Sequence, residues 1–212
     1  MLAKGCVHLI AIPAALAAAS LALLLWSPPL AALLFALFAA LSLLTALFFR
    51  DPEREVGRGI VSPADGVLRR AEATEKGAFF SIFMNIYNVH VNRAPWAGRV
   101  VELRRVPGGR APAFGRGAER NEKLVITLET ALGRIVVTQI VGVVARRIVP
   151  YVRAGQEVEK GERIGIIRFG SRVDLFIPRG GLRLLVRRGE RVLAGSTTLA
   201  EVPGSGERRV GG

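Results

Sequence analysis

Three residues carry most of the chemistry this sequence offers. His90 is the only histidine outside the first 50 residues, and histidine is the side chain that titrates nearest neutral pH. It is the first candidate for a general base, with a structural strand histidine as the alternative. Asp65 sits in Pro63-Ala64-Asp65-Gly66, and read alone it is an Asx-turn residue. Ser171 follows Gly170 between two apolar runs, 163–169 and 172–177. A Gly-Ser pair there is either a simple turn or a peptide that its own hydroxyl can attack. One cysteine excludes a paired CxxC zinc site, and two histidines leave little room for a histidine-built centre, so no metal is expected.

These residues are positioned by short β elements. Residues 124–130 and 134–144 are β-branched runs separated by Ala131-Leu132-Gly133, which predicts a hairpin. Residues 81–93 alternate in part, with Val89 and Val91 on one face and Asn88, His90 and Asn92 on the other. Between 152 and 167, Gly155, Val158, Gly161 and Ile164 recur every three residues. That spacing predicts short strands joined by glycine turns, as in lipoyl-like sandwiches. Residues 60–68 read as a strand broken by a turn. Pro107–Glu122, rich in Gly, Arg and Pro, predicts a long loop. The expected class is α+β, mainly β: a compact β-rich domain behind a helical hairpin.

The hairpin is read from charge. No Lys, Arg, Asp or Glu lies between Lys4 and Arg50, and the apolar run is interrupted by Ser27-Pro28-Pro29, where proline favours a turn. Each flanking piece, 5–26 and 30–49, is long enough to cross a bilayer core of about 30 Å. A signal peptide and a buried helix pair are the competing readings. Lys4 before the first span and Arg50, Arg54 and Arg58 after the second place both ends in the cytoplasm. The whole chain carries a formal charge of +13. Removing residues 1–50 takes away Lys4 and Arg50, leaving 28 basic residues against 17 acidic and a charge of +11. An anionic membrane is the expected partner; no recognition helix or aromatic strand motif favours nucleic acid.

Six segments in order resemble one family: Phe48-Phe49-Arg50-Asp51-Pro52-Glu53-Arg54, Ser62-Pro63-Ala64-Asp65-Gly66, Asn88-Val89-His90-Val91-Asn92-Arg93, Gln139-Ile140-Val141-Gly142, Ala145-Arg146-Arg147-Ile148-Val149 and Arg168-Phe169-Gly170-Ser171-Arg172-Val173-Asp174. Together they resemble the short, membrane-anchored, prokaryotic form of the phosphatidylserine decarboxylase proenzyme, over residue 48 to about 200. The resemblance implies cleavage of the Gly170–Ser171 bond, giving chains 1–170 and 171–212, with Ser171 converted to a pyruvoyl group that serves as the covalent cofactor. It implies decarboxylation of phosphatidylserine to phosphatidylethanolamine through a Schiff base. In that scheme His90 is the base and Asp65 its orienting carboxylate. Arg146, Arg147 and the 107–122 loop are candidates for substrate phosphate. The domains expected are 1–50, the anchor, and 51–212, the catalytic unit on the cytoplasmic side of the cell membrane. The two cleaved chains would stay associated, with a homodimer as a further association.

Long forms of the family carry Leu-Gly-Ser-Thr at the cut, which Gly195-Ser196-Thr197 imitates here. Cleavage there would leave only residues 196–212, so Ser171 is preferred. Long forms also have a histidine where this chain has Tyr87, so no role of that residue carries over. Outside the enzyme class, a membrane-anchored lipoyl-like adaptor is the alternative. Lys160, in Val-Glu-Lys-Gly-Glu, lacks the setting of a carrier lysine.

Overall fold

The computed structural model describes residues 1–109, 111–112, 116–143, 147–168 and 171–203. The chain divides into two compact units, Met1–Glu53 and Arg54–Gly212.

In the first unit, helix α1 (Val7–Ser20) tightens into a 3-10 turn, Leu21–Leu25, and helix α2 spans Pro28–Phe48. The two helices pack together, and Ser42 Oγ donates to the Ile10 carbonyl at 3.4 Å. The prolines differ from expectation. They do not form the turn but open α2, because the first helical positions need no backbone N–H donor. Segments Val7–Leu25 and Pro28–Phe48, 19 and 21 residues, are long and apolar enough to cross a membrane. Most of their leucines are exposed in the isolated chain, as side chains facing lipid would be.

The second unit is mainly β. Along the chain run β1 (Ile60–Val61), β2 (Gly66–Thr74), β3 (Gly77–Met84), β4 (Val91–Arg93), β5 (Gly98–Val106), β6 (Lys123–Thr130) and β7 (Gly133–Val141). They are followed by β8 (Arg147–Pro150), β9 (Glu157–Val158), β10 (Arg163–Arg168), β11 (Ser171–Ile177), β12 (Arg183–Leu184), β13 (Arg191–Val192) and β14 (Thr198–Glu201). An eight-stranded antiparallel sheet has the order β13-β2-β3-β11-β7-β6-β5-β9, and two three-stranded sheets have the orders β4-β10-β8 and β1-β14-β12.

Alternation sets the core. On β11, Ser171, Val173, Leu175 and Ile177 are buried, while Arg172, Asp174 and Phe176 turn to the other face. Phe80 and Ile82 of β3, Ile135 and Val137 of β7, and Ile126 of β6 join the same core. The expected 124–144 hairpin forms as β6 and β7, and Gly133 at its turn has φ +92°, a conformation that favours glycine.

Three expectations are corrected. The run 81–93 is not one strand: Asn88 N–H donates to the Asn85 carbonyl at 3.0 Å and Asn85 N–H to Asn88 Oδ1 at 2.8 Å, closing a turn. Val89, His90, Val91 and Asn92 are all buried, so neither face of this stretch meets solvent. The 107–122 segment is more than a loop. It contains a short 3-10 helix, Arg116–Arg120, and Asn121 pins it by accepting from Ala111 N–H and donating to the Ala111 and Val141 carbonyls. Finally, β10 and β11 do not pair with each other among the described residues, as strands joined by a simple turn would. They belong to different sheets.

Candidate active site

Ser171 is the first residue of β11 and is fully buried. It stands between Met84 of β3 and Val141 of β7 in the ladder. Its Oγ donates to Met84 Sδ at 3.2 Å, a weak acceptor. The strand that precedes Ser171 in the chain, β10, belongs to the small β4-β10-β8 sheet, while β11 belongs to the large one. Phe169 and Gly170 themselves lie outside the described residues.

His90 is also fully buried. Its carbonyl accepts from Ile167 N–H at 3.3 Å, and its Nδ1 lies 2.8 Å from the Asn88 carbonyl. A carbonyl only accepts, so Nδ1 carries the proton and Nε2 the basic lone pair. Met84 is tied to Ser171 and His90 to Ile167, so residues 84–90 and 167–171 are two short segments held together at both ends.

Asp65 has different partners from those expected. Arg54 grips both carboxylate oxygens, with Nη2 to Oδ2 at 2.8 Å, and Ala194 N–H donates to Oδ1 at 2.8 Å. The side chains of Arg54 and Asp65 are 12% and 4% exposed, so this is a largely buried, bidentate ion pair. The carboxylate thus joins the 62–66 turn to the segment before Ser196, rather than contacting His90. The turn reaches the histidine segment by another route: Arg93 N–H donates to the Pro63 carbonyl at 2.9 Å.

Two buried carboxamides complete the neighbourhood. Gln139 Nε2 donates to Asn92 Oδ1 at 2.6 Å, and Asn92 Nδ2 points at Met84 Sδ at 3.8 Å. Met84 is therefore shared between this pair and Ser171. Gln139 fits because residue 165 is glycine; a Cβ there would stand 3.1 Å from its Nε2 and 2.9 Å from the Val149 carbonyl oxygen. The roles of Met84, Asn92, Gln139 and Arg54 are not evident from residue types. The available signal is polarity at an inward strand position, as with Gln139 within the β-branched run of β7.

The opposite face of the sheet is chemically distinct. There Arg172 donates to Asp174 at 2.9 Å and Ser81 Oγ donates to Asp174 at 2.6 Å, flooring a cavity of about 840 Å³. Of the arginines proposed for phosphate, Arg146 lies outside the described residues and Arg147 is exposed at the start of β8. Ser196 is partly exposed and its hydroxyl donates to the Glu55 carbonyl at 2.8 Å.

Comparison with known proteins places this geometry. Residues 41–200 match the phosphatidylserine decarboxylase family model. The chain is 53% identical over 154 residues to the phosphatidylserine decarboxylase proenzyme of Streptomyces coelicolor, covering 72% of this chain and 70% of that protein. It is 49% identical over 156 residues to that of Thermobifida fusca, covering 73% and 71%. It is 48% identical over 167 residues to a putative archaetidylserine decarboxylase proenzyme of Archaeoglobus fulgidus, covering 78% and 82%. The match contains all the buried groups just described, from Arg54 to Ser171, and the chain belongs to the phosphatidylserine decarboxylase family.

Proposed function

We propose that this protein is a self-processing decarboxylase that converts phosphatidylserine to phosphatidylethanolamine and CO2, using a pyruvoyl group made from Ser171. The observation that carries the reading is a fully buried serine at the start of β11, whose hydroxyl meets Met84, the residue that ends the strand before the turn to His90.

In processing, Ser171 Oγ attacks the Gly170 carbonyl carbon. The peptide C–N bond breaks as an ester C–O bond forms, and His90 Nε2 takes the hydroxyl proton and passes it to the departing nitrogen, which leaves as an amine. Loss of the Cα proton and departure of the Gly170 carboxylate then leave dehydroalanine at 171. Water adds to its imine tautomer and releases ammonia. The surroundings of residue 171 suit the product. Among the described residues its hydroxyl bonds to a thioether alone, so exchanging that hydroxyl for a keto group forfeits little.

Once formed, the pyruvoyl carbonyl is the electron sink that lets the substrate carboxylate leave as CO2. The chain's own residues do the rest. Val141 and Met84 hold position 171 in the ladder, and the apolar core around Val173 and Leu175 excludes water. His90 returns a proton to the carbon that lost CO2. Helices α1 and α2 would anchor the chain, with residues 51–212, which carry a charge of +11, on the cytoplasmic side.

A second reading concerns the lipid backbone. Similarity to a protein named for archaetidylserine favours an enzyme that reads the serine headgroup in either lipid. The test is release of labelled CO2 from carboxyl-labelled phosphatidylserine and archaetidylserine in vesicles. Release that phenylhydrazine, a carbonyl reagent, abolishes is expected. No release from either lipid, or undiminished release by Ser171→Ala, contradicts the proposal.

A further inference from the structure

We propose that the edge of the β unit at which the chain enters Ser171 is a bilayer-docking surface, with Ile86, Tyr87 and Val143 inserted into the interface of an anionic membrane and Arg147 and Arg168 beside its phosphates. The inference rests on the lipid substrate proposed above and concerns how the buried site meets it.

Ladder geometry brings these residues to one edge. Strands β3 and β7 flank β11 and both run antiparallel to it. Their last residues, Met84 and Val141, both pair with Ser171, so the segments that follow leave the sheet on the same side. Adjacent strands are about 4.8 Å apart, so the two segments emerge about 10 Å from one another. Ile86 and Tyr87 lie on one and Val143 on the other. They are 65%, 61% and 58% exposed, the three most exposed large apolar side chains among the described residues of this unit. Elsewhere on the unit such side chains are less exposed, as with Leu193 at 51% and Val56 at 48%.

Cations are close along the chain: Arg147, at the start of β8, follows Val143 by four residues, and it pairs in register with Arg168, the last residue of β10. Apolar tips next to basic side chains are the pattern of an interfacial binder: the tips enter the headgroup and acyl boundary while the cations meet lipid phosphate. The location also answers a steric need. Residue 171 is fully buried, and a lipid can bring its headgroup there while keeping its chains in the bilayer only if this edge approaches the membrane.

The experiment uses the full chain in phosphatidylglycerol–phosphatidylcholine vesicles, which contain no substrate, so docking is read without turnover. On a Cys6→Ser background, Ile86→Cys carries an environment-sensitive fluorophore, and Glu75→Cys, at the other end of β3, serves as the control. The expected result is a blue-shifted emission at 86 that doxyl-labelled lipid quenches, with neither effect at 75. A solvent-like, unquenched probe at 86 overturns the proposal. So does a shift that appears in detergent without lipid and grows with protein concentration, which would make a second copy the occupant. As a functional arm, the double variant Ile86→Asp, Val143→Asp should mature normally and turn over short-chain, monomeric phosphatidylserine at the unaltered rate, while losing about tenfold on bilayer substrate. Equal loss on both substrates contradicts docking. If the unaltered chain releases no CO2 from either substrate, the functional reading fails, and the quenching result alone decides docking.

Discussion

Ser171 and Met84 face each other across the β3–β11 ladder, and the serine hydroxyl donates to the methionine sulfur at 3.2 Å. A thioether holds a hydroxyl weakly. The nucleophile is thus packed in place, yet its proton is not committed to a strong acceptor. Because Met84 also ends the strand that leads into the turn before His90, one residue sets both the packing of Ser171 and the origin of the segment that carries the base.

Removing that hydroxyl should stop maturation. Ser171→Ala is expected to remain one chain without decarboxylase activity on denaturing gels and in CO2 release, because alanine cannot form the ester. Ser196→Ala should mature normally, since its hydroxyl serves only the Glu55 carbonyl. Cleavage of Ser171→Ala at the same bond would refute the mechanism, and failure of Ser196→Ala would move the site.

The base is tested at His90. His90→Ala should slow maturation by about 10²–10⁴-fold, the usual contribution of a positioned general base. A time course of cleavage during cell-free synthesis reads this directly. His8 lies in α1, within the first unit, so the β unit has no second histidine to substitute. Maturation of the variant at the normal rate would remove His90 from the role.

Asp65 should act first on stability. Asp65→Ala strands the Arg54 guanidinium, and breaking a buried pair by removing one partner costs about 3–5 kcal/mol. Measured by denaturant unfolding of the uncleaved Ser171→Ala chain, Asp65→Ala is expected to lose that much. The double variant Arg54→Met, Asp65→Leu should recover much of the loss. Slow cleavage by Asp65→Ala at undiminished stability would instead support the carboxylate as the orienting partner of His90.

The anchor and the surface charge should divide the work of reaching lipid. Deleting residues 1–50 leaves Arg54, Asp65, His90 and Ser171 in place, so the shortened chain should still mature. Its turnover on anionic vesicles should fall steeply with salt, because a +11 surface acts only within a Debye length of about 8 Å at physiological ionic strength. The full chain should change little over the same series. Identical salt dependence would show that the two do not share this task.

Much of this was legible in the residues, for identifiable reasons. Uncharged length marks the helices of the first unit, β-branched runs mark β6 and β7, and glycine spacing marks the turns at Gly155 and Gly161, where φ is +86° and +81°. Long-range pairing was not legible. Nothing local says that β10 and β11 join different sheets, or that the Asp65 carboxylate meets a guanidinium eleven residues earlier and an amide from residue 194. The turn at Asn85–Asn88 was hidden because Asn88 also fits the polar face of an alternating strand, with His90 and Asn92. The Asn92–Gln139 pair was hidden because a buried amide differs from an exposed one only in what packs against it.

Intact mass spectrometry of the purified full-length protein tests the central claim most directly. The account predicts two chains in equal amount, residues 1–170 with a free carboxylate and residues 171–212 lacking an amino terminus and bearing a pyruvoyl in place of Ser171. A single 22.8 kDa chain, or a short chain that begins with an unmodified serine, would contradict it.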